Sequence, residues 1–530
     1  MMNGKKIILD GSSLHIEDVN ALISNAGVSV EIARSAITNV EKAKQFLDRE
    51  AGKKVIYGVN TGFGPMASHI INEKQSVTLQ ENLIRSHAVG MGEPIRSEYA
   101  LAAMVVRLNT LLKGFSGVSP KLIFHLQTFI NRRIIPVIPE HGAVGTSGDL
   151  VQLAHIALAL MGEGEVMYEG RRQEAKDVLQ KLRIEPYHLQ AKEGLSLING
   201  TSVMAGITSL LCKDAERLLT IATRAGVLAL ELVHGFDDSI SERLHAMRPH
   251  PGQVKIAKMM RDLLRTSHLL RNREAFQKTV KLPERVRKIP EIVQEVYSFR
   301  CIPQILGPIV DILAKVSKEI GTEINSVTDN PVVDWENKVF IHGGNFHGDY
   351  VAAGVDQLKI GLIKLTILSE RRTNFFLNQK VNTYLPPFLN LERPGLTLGL
   401  QGLQFVATST TANSQSLAFP HHIHSIPTNG DNQDVVSMGT DAALIASRVI
   451  ENAYIVLAIE LITLAQAVDI LEIRRNLSVS SKNLFDSLRV CFPAIEEDRV
   501  LVKELPRVVD LLKTIEIPAV RGEKKNSPGV

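Results

Sequence analysis

A Ser-Gly pair lies in a glycine-rich loop, directly before an apolar segment that begins at Leu150. The loop reads His-Gly-Ala-Val-Gly-Thr-Ser-Gly-Asp over residues 141–149. Because Gly148 has no side chain, its backbone nitrogen could attack the carbonyl of Thr146 and close a five-membered ring. Loss of water from this ring and from Ser147 would leave a methylidene-imidazolone, which is an electrophile. Such a group could activate an amino acid without pyridoxal phosphate.

The same loop also fits a purely structural role. Thr146 and Asp149 have the spacing of a capping box before an apolar run, and such a box would only begin a helix. Which interpretation holds depends on whether the rest of the chain supplies a base and groups that bind a substrate.

A second glycine-rich loop follows a short apolar stretch and contains a tyrosine. It reads Tyr-Gly-Val-Asn-Thr-Gly-Phe-Gly over residues 57–64, and it lacks both the Gly-x-Gly-x-x-Gly order and the lysine of a phosphate-binding loop. Glycines that follow a tyrosine closely suggest a flexible lid that can bring a phenolic oxygen over a closed pocket. We therefore expect Tyr57 on a lid that bends at Gly58, Gly62 and Gly64; a tyrosine packed in a surface turn is the alternative.

Helices must position these loops, and the helical pattern changes along the chain. Up to about residue 145 it predicts short helices separated by loops, at residues 16–25, 29–50, 76–86 and 98–112. Farther along it predicts long helices that are apolar on several faces, at residues 202–234, 350–378 and 441–473. A helix that is apolar all round needs neighbours on every side, so we expect a long-helix bundle shared between subunits.

This pattern predicts a mainly α protein in three parts. We expect an N-terminal lobe over residues 1–200, carrying the lid tyrosine and the ring-forming tripeptide, then a long-helix bundle over residues 201–521. Residues 522–530 are predicted to be a disordered tail. An apolar run over residues 452–468 approaches membrane-spanning length, but Glu460 in its middle favours a buried helix.

Composition limits the possible partners and compartment. The 530 residues include 60 Lys and Arg against 56 Asp and Glu, with the two signs interspersed, which argues against a nucleic-acid partner. Three scattered cysteines favour a reducing compartment, and the N-terminus lacks the apolar core of a signal peptide. A cytoplasmic protein without a membrane partner is expected. The histidine-rich stretches at residues 342–347 and 421–424 lack the spacing of a zinc site, so no metal is predicted.

Five segments, taken in order, resemble the aromatic amino acid ammonia-lyases and aminomutases. They are the Tyr57 loop, the Thr-Ser-Gly loop, Leu-Ser-Leu-Ile-Asn-Gly-Thr-Ser-Val-Met at 195–204, Gln-Glu-Val-Tyr-Ser-Phe-Arg-Cys-Ile-Pro-Gln at 294–304, and His-Gly-Gly-Asn-Phe-His-Gly at 342–348. The resemblance covers roughly residues 55 to 468. It implies a nearly all-helical homotetramer of the fumarase/aspartase-like type, with active sites that take residues from three subunits.

The resemblance also implies the chemical roles of the first two loops. Thr146, Ser147 and Gly148 would form the methylidene-imidazolone autocatalytically, with Thr in place of the family's usual Ala. That residue contributes its carbonyl to the ring, so we expect Thr to be tolerated. Once the ring has made the substrate amine a better leaving group, Tyr57 would remove the weakly acidic β-hydrogen. The positive end of the helix that starts near Leu150 would favour the ionised phenol.

Further roles follow from the other three segments. Arg300 would hold the substrate carboxylate as a two-pronged donor, a geometry that Lys cannot copy. Asn199 and Gln294 are implied as hydrogen-bond donors to the ring and the substrate. Tyr297 would be a second phenol near the ring, and Phe346 a packing wall.

The substrate depends on the pocket for the side chain. The Ser-His pair that ends at His87 occurs in both histidine- and tyrosine-specific members and does not discriminate between them. Histidine ammonia-lyases place a glutamate, which binds the imidazole, where Gln433 stands, and a neutral amide offers no charge-assisted bond. His87 suits a phenol hydroxyl better than the bare ring of phenylalanine. At His422 the tyrosine-acting members carry a tyrosine, and a histidine there can still bind a phenol. We therefore expect L-tyrosine as substrate and p-coumarate as product.

Several alternatives stay open. Phenylalanine and histidine ammonia-lyases carry out the same elimination, and a tyrosine 2,3-aminomutase would re-add the ammonia at the β-carbon. Lyase and mutase differ in how long the lid holds the intermediate together with ammonia. A catalytically dead helical scaffold is the alternative from another class; the intact Tyr57, Ser147, Gly148 and Arg300 argue against it.

Overall fold

The computed structural model describes residues 5–515, except residues 281–284, 287, 290, 291, 392 and 394. The tail predicted at residues 522–530 lies outside these residues. The fold is mostly helical, which confirms the predicted mainly α class. In chain order the helices are α1 (Ile16–Ser24), α2 (Arg34–Glu50), α3 (Glu73–His87), α4 (Ser97–Leu112), α5 (Pro120–Asn131), α6 (Leu150–Leu160), α7 (Ala175–Leu182), α8 (Glu193–Ile198), α9 (Ser202–Leu232), α10 (Glu242–Ala246), α11 (Pro251–Leu264), α12 (Arg273–Thr279), α13 (Tyr297–Arg300), α14 (Ile302–Glu323), α15 (Asp349–Leu377), α16 (Gln379–Asn382), α17 (Gln401–Ser416), α18 (Gly439–Leu471), α19 (Val479–Cys491) and α20 (Leu505–Thr514).

The strands are short and form small separate sheets. They are β1 (Lys6–Leu9), β2 (Ser29–Ile32), β3 (Met91–Pro94), β4 (Ile135–Pro136), β5 (Pro139–His141), β6 (Glu165–Tyr168), β7 (Arg171–Glu174), β8 (Val332–Asp334) and β9 (Val339–Ile341). β1 and β2 pair in parallel; β3 pairs with β5, β6 pairs with β4 and β7, and β8 pairs with β9, all antiparallel.

The helix predicted over residues 29–50 is wrong in its first turn. Ser29–Ile32 is a strand, and α2 begins only at Arg34. The parallel pairing with β1 explains the difference, because Val30 lies opposite Ile7 and both side chains are buried. The tertiary contact therefore decides the conformation of a four-residue segment whose own pattern is too short to do so.

The chain divides into two compact units. Unit 1 comprises Met1–Lys213, Lys315–Gln357 and Pro420–Ala446, and unit 2 comprises Asp214–Ala314, Leu358–Phe419 and Ser447–Val530. Each unit is thus assembled from separate stretches of chain. Four of the five boundaries fall inside α9, α14, α15 and α18, and the fifth follows α17. The lobes at residues 1–200 and 201–521 remain a proposal.

The core of unit 1 is built around α4. Every residue of this helix from Tyr99 to Leu112 is buried, including Arg107. Burying one of its Leu or Val side chains contributes about 1.5–3 kcal/mol relative to exposing it, so these residues make α4 the central element of this unit. Gly206 of α9 lets the two helices approach closely, because a Cβ there would lie 2.8 Å from the backbone nitrogen of Ala103.

In unit 2 a buried ion pair joins α15 to α18. Arg372 and Glu460 are both fully buried, and the Glu460 carboxylate also accepts a hydrogen bond from Ser369. α18 is long and apolar enough to cross a membrane, but 78% of its most apolar window is buried in the protein. The prediction of a buried helix over residues 452–468 is confirmed, and Glu460 is accommodated there because it is paired.

Candidate active site

The Thr-Ser-Gly loop is held tightly against the turn that follows α8. Ser147 and Gly148 have positive φ angles of 53° and 83°. The backbone nitrogen of Gly200 donates to the carbonyl of Ser147 at 3.1 Å, and the nitrogen of Asp149 donates to the carbonyl of Gly200 at 2.8 Å. The ring-forming residues are therefore fixed by backbone hydrogen bonds on the side of the Asn199-Gly200 turn.

Only glycine fits at both positions of this contact. A Cβ at Gly148 would lie 2.1 Å from the carbonyl oxygen of Gly200. A Cβ at Gly200, whose φ is 145°, would lie 2.4 Å from Nη1 of Arg107 and 2.5 Å from Oγ1 of Thr328. Gly200 is thus enclosed between the tripeptide and two buried side chains, and the nitrogen of Gly148 has no neighbouring Cβ to block its attack.

We expect Gly200→Ala to reduce ring formation. The added methyl must push the turn away from Arg107 and Thr328, and with it the carbonyl that holds Asp149. The intact mass of the purified protein should then shift towards the full sequence mass, because fewer chains lose water.

Gly170→Ala is the matched control for this variant. Gly170 has a φ of 73°, and a Cβ there would meet nothing within 4 Å. A left-handed φ of this kind costs an alanine about 1–2 kcal/mol, so the control measures the effect of backbone strain at a site where no neighbouring atom is in the way. Equal ring content in the two variants would contradict the role of the glycine contact.

Asp149 does not take part in a capping box, which was the structural alternative for this loop. It precedes α6, but its side chain makes no capping bond to that helix. Its fully buried carboxylate instead accepts the backbone N–H groups of Val203 and Met204 in the first turn of α9, at 2.7 and 3.1 Å, and the hydroxyl of Thr440 at 2.6 Å. Burial raises the pKa of Asp149 to about 6. The residue after the tripeptide is therefore an anchor to α9 and α18, a role that the sequence reasoning missed.

Asn199 presents an unused polar atom beside the tripeptide. Its side chain is buried, and within the part of the chain that the structure describes its Oδ1 has no hydrogen-bond partner. A buried polar atom without a partner is costly. The cost would be relieved by an N–H or O–H group of a substrate, to which this oxygen would be the acceptor; the role of Asn199 as a donor stays a prediction.

The Tyr57 loop is folded back on itself. The phenolic oxygen of Tyr57 accepts the N–H of Gly64 at 3.0 Å, and the backbone N–H of Tyr57 donates to Nε2 of His342 at 3.4 Å. A Cβ at Gly62 would lie 2.5 Å from the carbonyl of Met66. Gly58 and Gly64 have positive φ, and a Cβ on either would clash with a neighbour. These glycines are therefore needed for the folded form of the loop.

The segment 428–438 contacts both glycine-rich loops. A Cβ at Gly64 would lie 2.4 Å from Nδ2 of Asn429, and the nitrogen of Met438 donates to the carbonyl of Val144 at 3.2 Å. Gln433 lies in this segment, where its Oε1 accepts the hydroxyl of Thr428 at 3.0 Å.

The loop of Phe346 joins the same cluster. His347, the next residue, donates from Nε2 to the carbonyl of Val435 at 3.1 Å, and Phe346 itself is half-buried. Unit 1 thus brings together the segments that carry Tyr57, the tripeptide, Asn199, Phe346 and Gln433.

His87 ends α3, and its Nδ1 lies 2.9 Å from the carbonyl of Leu83 and 3.0 Å from Oγ of Ser86. Because the carbonyl can only accept a hydrogen bond, it favours the tautomer that carries the proton on Nδ1. Burial lowers the pKa of His87 and favours the neutral ring. Nε2 is then an acceptor for a hydroxyl or N–H donor. His422 is bound differently, because its Nδ1 lies 2.8 Å from the buried carboxylate of Asp356.

Gln294, Tyr297 and Arg300 belong to unit 2, and their place beside the ring remains a prediction. Two arginines, Arg271 and Arg273, hold the segment before them by donating to the carbonyls of residues 292 and 293. Gln294 is exposed, Tyr297 is 68% exposed, and the guanidinium of Arg300 stacks 4.6 Å from the centre of the Tyr297 ring. Among the described residues, Nε of Arg300 is buried without a partner. Together with the other guanidinium nitrogens of Arg300, this Nε is suited to bind the carboxylate of a substrate.

A methylidene-imidazolone fits the loop as it is built. The tripeptide has a serine, a glycine that admits no side chain, and a neighbouring amide oxygen left without a partner. Over the described residues, no group of three or more His, Cys, Asp or Glu could hold a metal ion. A mostly helical fold, together with a loop whose own residues form the electrophile, is characteristic of the methylidene-imidazolone enzymes.

Comparison with known proteins agrees with this class. The model of the aromatic amino acid lyase family matches residues 14–490, and the chain belongs to that family. A histidine ammonia-lyase of Macrococcus caseolyticus is 40% identical over 511 residues, 96% of this chain and 98% of that protein.

Two solved structures are similar over nearly the whole chain. Tyrosine aminomutase from Streptomyces globisporus has a TM-score of 0.92 at 37% identity and covers 96% of each chain. Pantoea agglomerans phenylalanine aminomutase has a TM-score of 0.92 at 33% identity and covers 96% of this chain and 99% of that one. The relatives share one family but differ in substrate and product, so the substrate has to be argued from the pocket.

Proposed function

We propose that this protein eliminates ammonia from L-tyrosine to give p-coumarate. The observation that supports tyrosine over histidine is the neutral Gln433, held by Thr428 in the segment that contacts both glycine-rich loops. A carboxylate at that position could form a charge-assisted bond to an imidazole, and a carboxamide cannot. The chain is 40% identical to a histidine ammonia-lyase, and Gln433 is the side chain on which the proposal of a different substrate depends.

The residues of the loops have complementary tasks. When formed, the ring supplies an electrophile that makes the amino group a better leaving group. Asn199 would orient the ring or the substrate through its unpartnered amide oxygen, with Gln294 as a second polar contact. Arg300 would bind the carboxylate and Tyr57 would accept the β-proton, as its oxygen already accepts the N–H of Gly64.

The hydroxyl of tyrosine has a matching acceptor. Nε2 of His87 can accept a phenol O–H, because Nδ1 donates to Leu83 and burial favours the neutral ring. Phenylalanine would leave this acceptor unpaired, at a cost of about 1–3 kcal/mol. His422, fixed by Asp356, offers a further polar contact for the phenol. We expect tyrosine to be preferred over phenylalanine by roughly tenfold or more.

A tyrosine 2,3-aminomutase is the second candidate. It is favoured by the likeness to the Streptomyces globisporus tyrosine aminomutase over 96% of both chains. The two reactions share their first steps and differ in whether ammonia is released or added back at the β-carbon. The proposed cytoplasmic homotetramer, with sites completed by neighbouring copies, fits either reaction and the exposure of Tyr297.

Product identification tests the proposal. The purified protein is incubated separately with L-tyrosine, L-phenylalanine and L-histidine, and the products are identified by chromatography and mass spectrometry. p-Coumarate as the main product supports the lyase and β-tyrosine supports the aminomutase. Fastest formation of urocanate from histidine would contradict the argument from Gln433.

His87→Phe should reverse the preference between tyrosine and phenylalanine. The substitution removes the acceptor for the phenol hydroxyl and leaves an apolar wall for the bare ring. We expect the ratio of kcat/KM for tyrosine to kcat/KM for phenylalanine to fall by more than the wild-type preference of roughly tenfold, so that the ratio drops below one. His125→Phe is the matched control, because His125 is a partly buried histidine whose Nε2 meets the carbonyl of Leu160. An unchanged ratio in His87→Phe would remove His87 from the pocket.

A further inference from the structure

We propose that α3 connects the substrate-ring contact at His87 to the lid at Tyr57 and to Asn199, with Gln80 as the positioning residue. The inference rests on the proposed function, since it assumes the roles given above to these three residues. Gln80 itself would touch no reacting group. It would act by fixing two segments that carry such groups.

The side chain of Gln80 bridges two segments that are far apart in the sequence. It is fully buried. Its Nε2 donates to the carbonyl of Gly58 at 3.0 Å, and its Oε1 accepts the backbone N–H of Leu195 at 2.9 Å. Gly58 directly follows Tyr57, and Leu195 lies in α8, which ends directly before Asn199. One amide group therefore holds the base of the lid and the helix of Asn199 at once.

Close packing makes this bridge stiff. A Cβ at Gly194 would lie 2.8 Å from the backbone carbonyl of Gln80, and a Cβ at Gly58 would lie 2.6 Å from Cδ2 of Leu195. α3, the lid and α8 are thus in direct contact around the Gln80 amide. A displacement of one of them must be shared by the other two, because packed interiors transmit strain.

A second side chain of α3 strengthens the hold on the lid. Ser76 is buried one helical turn before Gln80, and its hydroxyl donates to the carbonyl of Val59 at 2.8 Å. Two consecutive carbonyls of the lid, those of Gly58 and Val59, are therefore bound by the same face of α3. His87 lies seven residues after Gln80, which is two helical turns and the same face again.

This arrangement links recognition of the substrate ring to the reacting groups. A ring that displaces His87 would move the end of α3, and through Gln80 it would move Tyr57 and Asn199 away from their working positions. A misplacement of about 1 Å can cost on the order of 100-fold in rate. Discrimination between substrates would then appear in kcat as well as in KM.

Gln80→Met tests the bridge, because Met has a similar size but replaces neither hydrogen bond. We expect ring content, measured by intact mass, to be unchanged and kcat to fall by roughly tenfold or more with KM little changed. Hydrogen exchange of the backbone amides should increase in both segments, residues 57–64 and 193–199. Ser76→Ala removes only the bond to Val59, so exchange should increase at residues 57–64 alone.

Gln466→Met is the matched control. Gln466 is a buried glutamine of unit 2 whose amide donates to the carbonyl of Ile495 at 2.8 Å and accepts its N–H at 3.1 Å. This variant loses the same two kinds of bond and, in addition, a long contact with Nη2 of Arg489 at 3.5 Å. It should therefore lower Tm while leaving kcat and exchange at residues 57–64 and 193–199 as in the wild type.

Two outcomes would overturn the inference. One is a Gln80→Met protein whose Tm falls as in the control but whose hydrogen exchange is unchanged at residues 57–64 and 193–199. The other is increased exchange in both segments with unchanged kcat. Hydrogen exchange is measured without substrate, and kcat is measured with the amino acid that the wild type turns over fastest. Failure of the tyrosine proposal is therefore distinguishable from failure of the bridge.

Discussion

Ser147→Ala is expected to leave a folded protein that has no ring and almost no activity. Alanine can offer no hydroxyl to lose as water, so the methylidene carbon is never made. We expect the wild-type mass to be two water molecules below the sequence mass, and the variant to lack this dehydrated product. Turnover should fall by roughly 1,000-fold or more, because an electrophile of this kind has no replacement among ordinary side chains.

Thr146→Ala is the matched control for ring formation. The carbonyl of residue 146 enters the ring and its side chain does not, so this variant should keep the mass deficit. Circular dichroism and Tm would verify that Ser147→Ala remains folded. A wild-type protein of full sequence mass that is nonetheless active would rule out the ring mechanism.

Tyr57→Phe is expected to reduce turnover far more than binding. The phenyl ring keeps its edge contact with Phe63, 6.1 Å between ring centres, but the oxygen that would take the β-proton is lost. Loss of a general base costs roughly 10²- to 10⁴-fold, so kcat should fall by that factor with a small change in KM. The measurement is steady-state kinetics with L-tyrosine, with ring content checked by intact mass.

Tyr168→Phe is the control for removal of a phenolic hydroxyl. Tyr168 lies in β6, where its ring contacts Lys181, and it belongs to none of the segments around the tripeptide. Removal of the Tyr168 hydroxyl should leave kcat unchanged. If Tyr57→Phe raised KM and left kcat intact, Tyr57 would be a packing residue.

The sequence predicted the long helices well because their apolar residues recur over many turns. The segments predicted at 202–234 and 350–378 are α9 (Ser202–Leu232) and α15 (Asp349–Leu377). β2 was mistaken for the start of a helix, since its four residues are defined by pairing with β1 and not by their own pattern. Long periodic elements are thus encoded locally, and short strands depend on a partner.

Within the site, sequence reasoning identified residue types but not the contacts that hold them. Ser147 and Gly148 could be selected because the ring chemistry needs a serine and a glycine. The anchoring role of Asp149 was missed, because the spacing of a capping box does not distinguish a local contact from a bond to a distant helix. Gln80 was missed, although it and Ser76 form an i, i+4 pair of polar residues on a face of α3 that also buries Leu83. Such a polar pair on an apolar face was the available signal.

The bond between Asp149 and Thr440 has a consequence for the order of events during synthesis. The two residues are 291 positions apart, so the loop cannot be anchored in this way until most of the chain has left the ribosome. A chain interrupted before residue 440 would hold the loop only through its contacts with residues 200–204. The anchoring of the tripeptide is therefore completed late, when α18 has been added to a chain that already carries the other contacts.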